Sequence, residues 1–203
     1  MTLEIIGFPR SNFVRTVRMA AREKGIAYDY IEALPHSDEV KAIHPLGQIP
    51  VMRHDGLELA ESQAIARYLD TAFDGPKLFP EDPKKGAIIN QWVSMTATSI
   101  DQLLIRKYTV QYLFNKDPDG NVIRDEIDRS VKRFPKIFGL LNSAVEDGFF
   151  GSNSFSMADC FLMPMIASAR NFPEAKDYLE ENKVLASYFD RLSERPCFAE
   201  TAS

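Results

Sequence analysis

Cysteine is scarce in this chain: 203 residues hold two, Cys160 and Cys197, and no Cys-x-x-Cys pair. A disulfide framework and a paired-cysteine zinc site are therefore not expected. The three histidines do not fall at metal-ligand spacings, so no metal is expected. Long apolar runs are missing, and nothing approaches the ~20 apolar residues of a membrane span. The opening residues Met1-Thr2-Leu3-Glu4-Ile5-Ile6 have neither a basic stretch nor a long apolar one, which argues against a secretory leader. Positive charge is not in excess. With 24 basic against 29 acidic residues and a net charge of −5, no basic field meets phosphates, and nucleic acid is not an expected partner. The expected setting is a reducing cytoplasm, with no membrane partner.

What is present is ordinary globular material. Hydrophobic residues are 45% and charged residues 26%, enough for a substantial core. The stretch from Thr71 to Lys85 contains Gly75, Pro76, Pro80 and Pro83. It reads as a linker, because proline supplies no backbone donor to a helix or a ladder. Two domains are expected, residues 1–75 and 86–203.

Before the linker, strand and helix signals alternate. Leu3 to Gly7 reads as a buried strand. Asn12 to Lys24 reads as a helix, with Phe13, Val17, Ala20 and Ala21 on one face and Gly25 as its stop. Tyr28 to Ala33 is a second strand. Val51–His54 and Leu57–Leu59 flank Asp55-Gly56, a two-residue hairpin signal. A helix follows from Ser62 to Asp70. The order predicts a mixed four-stranded sheet, since β-α-β implies parallel pairing and the hairpin antiparallel pairing. After the linker the period is helical throughout. One long helix is expected over 86–114, a second over 122–146 kinked at Pro135, a third from Ser156, and shorter ones near 173–181 and 184–194. The fold class is thus α/β followed by an all-α bundle.

Four constellations could carry chemistry. In Gly7-Phe8-Pro9-Arg10-Ser11 a strand ends and Ser11 opens a helix, where free N–H groups and the helix dipole favour an anion such as a thiolate; equally, Ser11 caps the helix. In His44-Pro45-Leu46-Gly47-Gln48-Ile49-Pro50, a cis bond before Pro50 would turn the Ile49 backbone outward toward an extended peptide; the alternative is an ordinary loop with a trans proline. At Glu61-Ser62 the serine could hold a carboxylate and the glutamate an ammonium, or both simply start the helix. Phe155-Ser156-Met157-Ala158-Asp159 is a capping box and is expected to stabilise the fold and bind nothing.

Taken together, Ser11-x-x-Val14-Arg15, Gly47-Gln48-Ile49-Pro50, Glu61-Ser62-Gln63-Ala64-Ile65 and Ser156-Met157-Ala158-Asp159 resemble the cytosolic glutathione transferases of the serine type, phi/theta-like or bacterial. The resemblance spans almost the whole chain. It implies a thioredoxin-like N-terminal domain, an all-helical C-terminal domain contributing the electrophile pocket, a homodimer, a detoxification role and a cis Pro50. It implies that the Ser11 hydroxyl holds the glutathione sulfur. It further implies that the Ile49 backbone pairs with the cysteinyl moiety, that Glu61 and Ser62 bind the γ-glutamyl end, that His36, with Lys41 as the alternative, takes the glycyl carboxylate, and that Gln48 lies beside the tripeptide. Glutathione is then a co-substrate, with no cofactor. Phe13, Tyr108 and Tyr112 are candidate walls for an electrophilic, apolar co-substrate; aromatic residues so spaced are also plain core material. The zeta-type signature Ser-Ser-Cys-Ser is replaced by Ser11-Asn12-Phe13-Val14, which argues against maleylacetoacetate isomerase activity. No cysteine precedes Cys160, which argues against an N-terminal mixed disulfide. The rival readings are a non-catalytic binding protein of the same fold and a glutathione-dependent dehalogenase, peroxidase or isomerase.

Overall fold

A computed structural model describes residues 2–202. It divides into two compact units: one runs as far as Gly86 and takes in the segment from Glu194 onward, and the other is Ala87–Ser193.

The first unit is built on a four-stranded sheet of β1 (Leu3–Gly7), β2 (Tyr28–Glu32), β3 (Val51–His54) and β4 (Leu57–Ala60), in the order β2-β1-β3-β4. β1 pairs parallel with β2 and antiparallel with β3, which pairs antiparallel with β4, so the mixed sheet expected from the element order is observed. The β3–β4 turn has positive φ at both Asp55 (48°) and Gly56 (83°), the twist that a two-residue hairpin needs. Helix α1 (Asn12–Glu23) buries Val14, Val17, Met19, Ala20 and Ala21 and packs on β1 and on α3 (Ser62–Ala72). Each large apolar side chain so buried contributes about 1.5–3 kcal/mol. A short helix, α2 (Asp38–Lys41), lies between β2 and β3; one helical turn is too short to leave a period in the sequence.

The expected linker is not free chain. Asp70, 2% exposed, accepts from Leu78 N (2.8 Å) and Phe79 N (3.1 Å) and pairs with buried Lys24 at 3.3 Å. Lys24 Nζ also donates to Pro76 O at 3.0 Å. A buried carboxylate must find donors, and here it finds them in the segment that follows its own helix. The boundary therefore falls at Gly86 rather than residue 75. The expected helical domain is also shorter at its other end. Residues from Glu194 return to the first unit, where Arg15 lies 3.8 Å over the Phe198 ring and donates to Phe198 O at 3.0 Å.

The second unit begins within α4 (Pro83–Met95). The helical run continues as wide π turns over Thr96–Thr109 and ends as α5 (Val110–Phe114). In the wide region Thr109 Oγ1 donates to Leu104 O, five residues back, at 2.8 Å. The expected 122–146 helix is two helices, α6 (Asp125–Val131) and α7 (Phe134–Ala144). Pro135 lies in the first turn of α7, where its missing N–H costs nothing, so it starts a helix instead of kinking one. Helix α8 (Met157–Ala169) is buried nearly all round; α10 (Lys183–Ser193) packs on α8, on α7 and on α9 (Pro173–Glu181), and α9 packs on α7. The capping box is formed: Ser156 Oγ accepts from Ala158 N at 3.3 Å, and Asp159 Oδ2 accepts from Ser156 N at 2.8 Å. Asp159 Oδ1 also accepts from Phe150 N and Tyr188 Oη.

Candidate functional site

The sheet registers gather the singled-out residues of the first unit. Ile6 faces Val51, and Val51 faces Ala60. One step further along both antiparallel registers brings Gly7, Pro50 and Glu61 side by side at one end of the sheet. Gly7 allows the close approach there. A β-carbon on it would stand 2.5 Å from Val14 Cγ2 and 3.2 Å from Ile49 Cβ, so only a residue without a side chain lets the start of α1 and the 44–50 loop converge on β1. Ala33 N and Tyr30 Oη both donate to Gly7 O, at 3.2 and 2.6 Å, and fix the same strand end.

Ser11 is the N-cap of α1. Its Oγ accepts from Val14 N at 3.4 Å and its N–H donates to Phe8 O at 3.0 Å. The capping contact uses a lone pair of the hydroxyl and leaves its proton to donate elsewhere. The two sequence readings of Ser11 are thus compatible. The backbone donor polarises the hydroxyl, and the helix dipole adds positive potential in front of it.

The 44–50 loop is tied to the chain after β2 by His36 N donating to Gly47 O at 2.8 Å. Gly47 has φ 66°, and a β-carbon there would stand 2.6 Å from His36 Nδ1. His36 is exposed with φ 64°, Lys41 ends α2 in solvent, and Gln48 is exposed. The Ile49–Pro50 bond is cis. Ile49 packs its side chain against the cluster of Ile6, Val40 and Val51. Its N–H and C=O have no partner among the described residues.

Helix α3 opens without a side-chain cap. Its N-cap is Glu61, at φ 70° and ψ 116°, a conformation that costs a non-glycine residue about 1–3 kcal/mol and collects at functional sites. Ser62 is 7% exposed, and its hydroxyl has no partner among the described residues. An uncapped helix start beside an uncommitted hydroxyl is a carboxylate-binding arrangement. Sequence reasoning missed one member of this cluster. His44, 5% exposed, accepts from Leu46 N at Nδ1 (3.1 Å) and meets Glu61 Oε1 through Nε2 (3.3 Å). The two residues are 17 positions apart, and they meet because the 44–50 loop folds back beside the β3–β4 end that carries Glu61.

The remaining candidates lie apart in kind. Phe13 is half-buried on α1. Tyr108 is fully buried in the core of the second unit, edge-on to Phe134, Tyr112 and Phe172. Its hydroxyl donates to Glu174 Oε2 at 2.9 Å and accepts from Ala175 N, and burial raises its pKa well above the usual tyrosine range. That surrounding gives Tyr108 the core role rather than an open wall. Tyr112 is half-buried, stacked on Phe172, and shares the Glu174 carboxylate at 2.7 Å. Arg15 turns to Phe198. Among the described residues no three His, Cys, Asp or Glu side chains gather as metal ligands, and no helix is long and apolar enough to cross a membrane.

Residues 5–77 match the family model of the glutathione S-transferase N-terminal domain, and residues 124–191 match that of its C-terminal domain. The chain belongs to the glutathione transferase family. A probable glutathione S-transferase of Nicotiana tabacum is 26% identical over 163 residues, a stretch covering 77% of this chain and 66% of that protein. The match thus spans slightly less than two thirds of this relative's length. Maleylacetoacetate isomerase of Rattus norvegicus is 26% identical over 170 residues, covering 80% of this chain and 76% of its own. The crystal structure of poplar glutathione transferase F1 superposes with a TM-score of 0.88 at 23% identity, over 99% of this chain and 96% of that one. The glutathione transferase fold, with a thioredoxin-like first domain and a helical second, is therefore the fold of this protein.

Proposed function

We propose that the protein is a glutathione transferase of the serine type, in which Ser11 donates a hydrogen bond to the glutathione sulfur and keeps it ionised. One observation carries the reading: a helix-capping hydroxyl, the unpaired backbone of Ile49 before a cis proline and an uncapped helix start meet at one end of a single sheet. A tripeptide with a thiol and an α-amino acid end needs those three things. The Ile49 N–H and C=O pair with the cysteinyl backbone. The α3 N-terminus and Ser62 take the γ-glutamyl carboxylate, and Glu61 takes its ammonium. His36 or Lys41 takes the glycyl carboxylate, with Gln48 alongside.

A free thiol titrates near 8.5, so little is ionised at neutral pH. Lowering that value by about two units needs roughly 2.7 kcal/mol of preference for the anion. A charge-assisted hydrogen bond together with a helix terminus supplies that order of magnitude. The thiolate then attacks an electrophilic carbon of an apolar co-substrate, forming the carbon–sulfur bond as the leaving group departs. The protein acts in the cytoplasm as a homodimer.

The test is retention on immobilised glutathione combined with conjugation of an aromatic halide. Retention with turnover supports the reading. Retention without turnover points to a binding protein, and no retention rejects the reading. Glutathione-dependent isomerisation is a second reading, favoured by relatives named maleylacetoacetate isomerase. Turnover of a cis-enedione without conjugation of the halide would select it.

A further inference from the structure

We propose that His44 is a positioning residue that holds the Glu61 carboxylate ready for the primary ammonium of the γ-glutamyl group. The proposal rests on the glutathione reading and adds to it a residue that the tripeptide itself does not touch.

Three observations carry it. First, the imidazole has a fixed proton. Leu46 N–H donates to Nδ1 at 3.1 Å, so Nδ1 serves as an acceptor and the neutral ring carries its hydrogen on Nε2. Nε2 lies 3.3 Å from Glu61 Oε1, so it donates to that oxygen. Second, burial is uneven. The His44 side chain is 6% exposed and that of Glu61 is 69% exposed. The ring is an anchored arm, whereas the carboxylate is an exposed group that would otherwise sample many rotamers. Third, Glu61 holds φ 70° at an uncapped helix start, so its backbone is committed to a costly direction before any ligand arrives. His44 commits the side chain as well. It occupies Oε1, and Oε2 has no partner among the described residues. A prepaid orientation of this kind raises affinity by removing an ordering cost at binding.

Two substitutions separate the bonds of the ring. Asparagine at 44 places its oxygen near the Nδ1 position, keeping the Leu46 contact and losing the donor to Glu61. Glutamine places its amide nitrogen near the Nε2 position, keeping the donor to Glu61. Titration calorimetry with reduced glutathione, and with its analogue lacking the γ-glutamyl amino group, reads the difference. The expected result is an about tenfold rise in Kd for glutathione with His44→Asn, about 1.4 kcal/mol, near wild-type affinity with His44→Gln, and no loss in either variant for the analogue. In a Glu61→Ala background, His44→Asn adds no further loss. Equal losses for both ligands, or a His44→Gln as weak as His44→Asn, would overturn the positioning role and leave the glutathione reading standing. Absence of binding by the unsubstituted protein would overturn both.

Discussion

Gly7 and Val14 approach so closely that a β-carbon on Gly7 would stand 2.5 Å from Val14 Cγ2. The strand end and the first helix of the site are set by this contact, and the Ile49 loop leans on the same glycine. Gly7→Ala must push α1 and the loop apart. It should cost about 1–3 kcal/mol by overpacking and raise the Kd for glutathione. Denaturant unfolding and calorimetry on one variant check both. Unchanged affinity would show that Gly7 does not set the site.

Glu61 holds φ 70° at the start of α3, a strain that the proposed glutathione site assigns to ligand binding. Glu61→Gly relieves about 1–3 kcal/mol of backbone cost, more than an exposed carboxylate's contact to His44 is worth. The unfolding midpoint should therefore rise while glutathione affinity falls. A fall in both would contradict the assignment of the strain to function.

Ser62→Ala removes one hydroxyl from the α3 start without altering the helix. A hydrogen bond to a charged group is worth about 1.5–3 kcal/mol, so the Kd for glutathione should rise at least tenfold with little change in melting temperature.

Burial pushes the Asp159 carboxyl up to about 6 against the pull of its Phe150, Ser156 and Tyr188 donors. The Ser156 and Tyr188 hydroxyls can turn to accept from the neutral acid. Because the folded value lies above the usual 3.8, the folded chain keeps a proton that the unfolded chain releases. This group's contribution is complete below about pH 4 and is lost as pH rises through about 6, a span of roughly 3 kcal/mol. Unfolding of the wild type and of Asp159→Asn across that window should show the wild-type advantage shrinking with rising pH. A constant difference would contradict the buried titration.

Several of these relationships were legible in the sequence, and the reasons differ. The apolar faces of α1 and α3, the Asp55-Gly56 hairpin and the Ser156–Asp159 box are local, so spacing within a few residues specifies them. The resemblance supplied the cis bond at Pro50, which residue chemistry alone left open. What escaped the sequence was non-local or invisible to periodicity. The Lys24–Asp70 pair that ties down residues 76–79 joins distant positions. The return of Phe198 beneath Arg15 crosses nearly the whole chain. The π turns at Thr96–Thr109 differ from an α-helix by one residue per bond, too little to mark the apolar pattern. At the site, Ser11, Ile49, Glu61 and Ser62 stand out by motif, whereas His44 becomes visible only when the fold of the 44–50 loop brings it to Glu61.

In the proposed mechanism the Ser11 proton is what keeps the glutathione sulfur ionised. Ultraviolet titration of the thiolate band of bound glutathione, in wild type and in Ser11→Ala, measures that ionisation directly. The expected thiol pKa is about two units below the free value of ~8.5 in wild type and returns toward that value in Ser11→Ala, with turnover down about a hundredfold. The same thiol pKa in both proteins would contradict this role of Ser11.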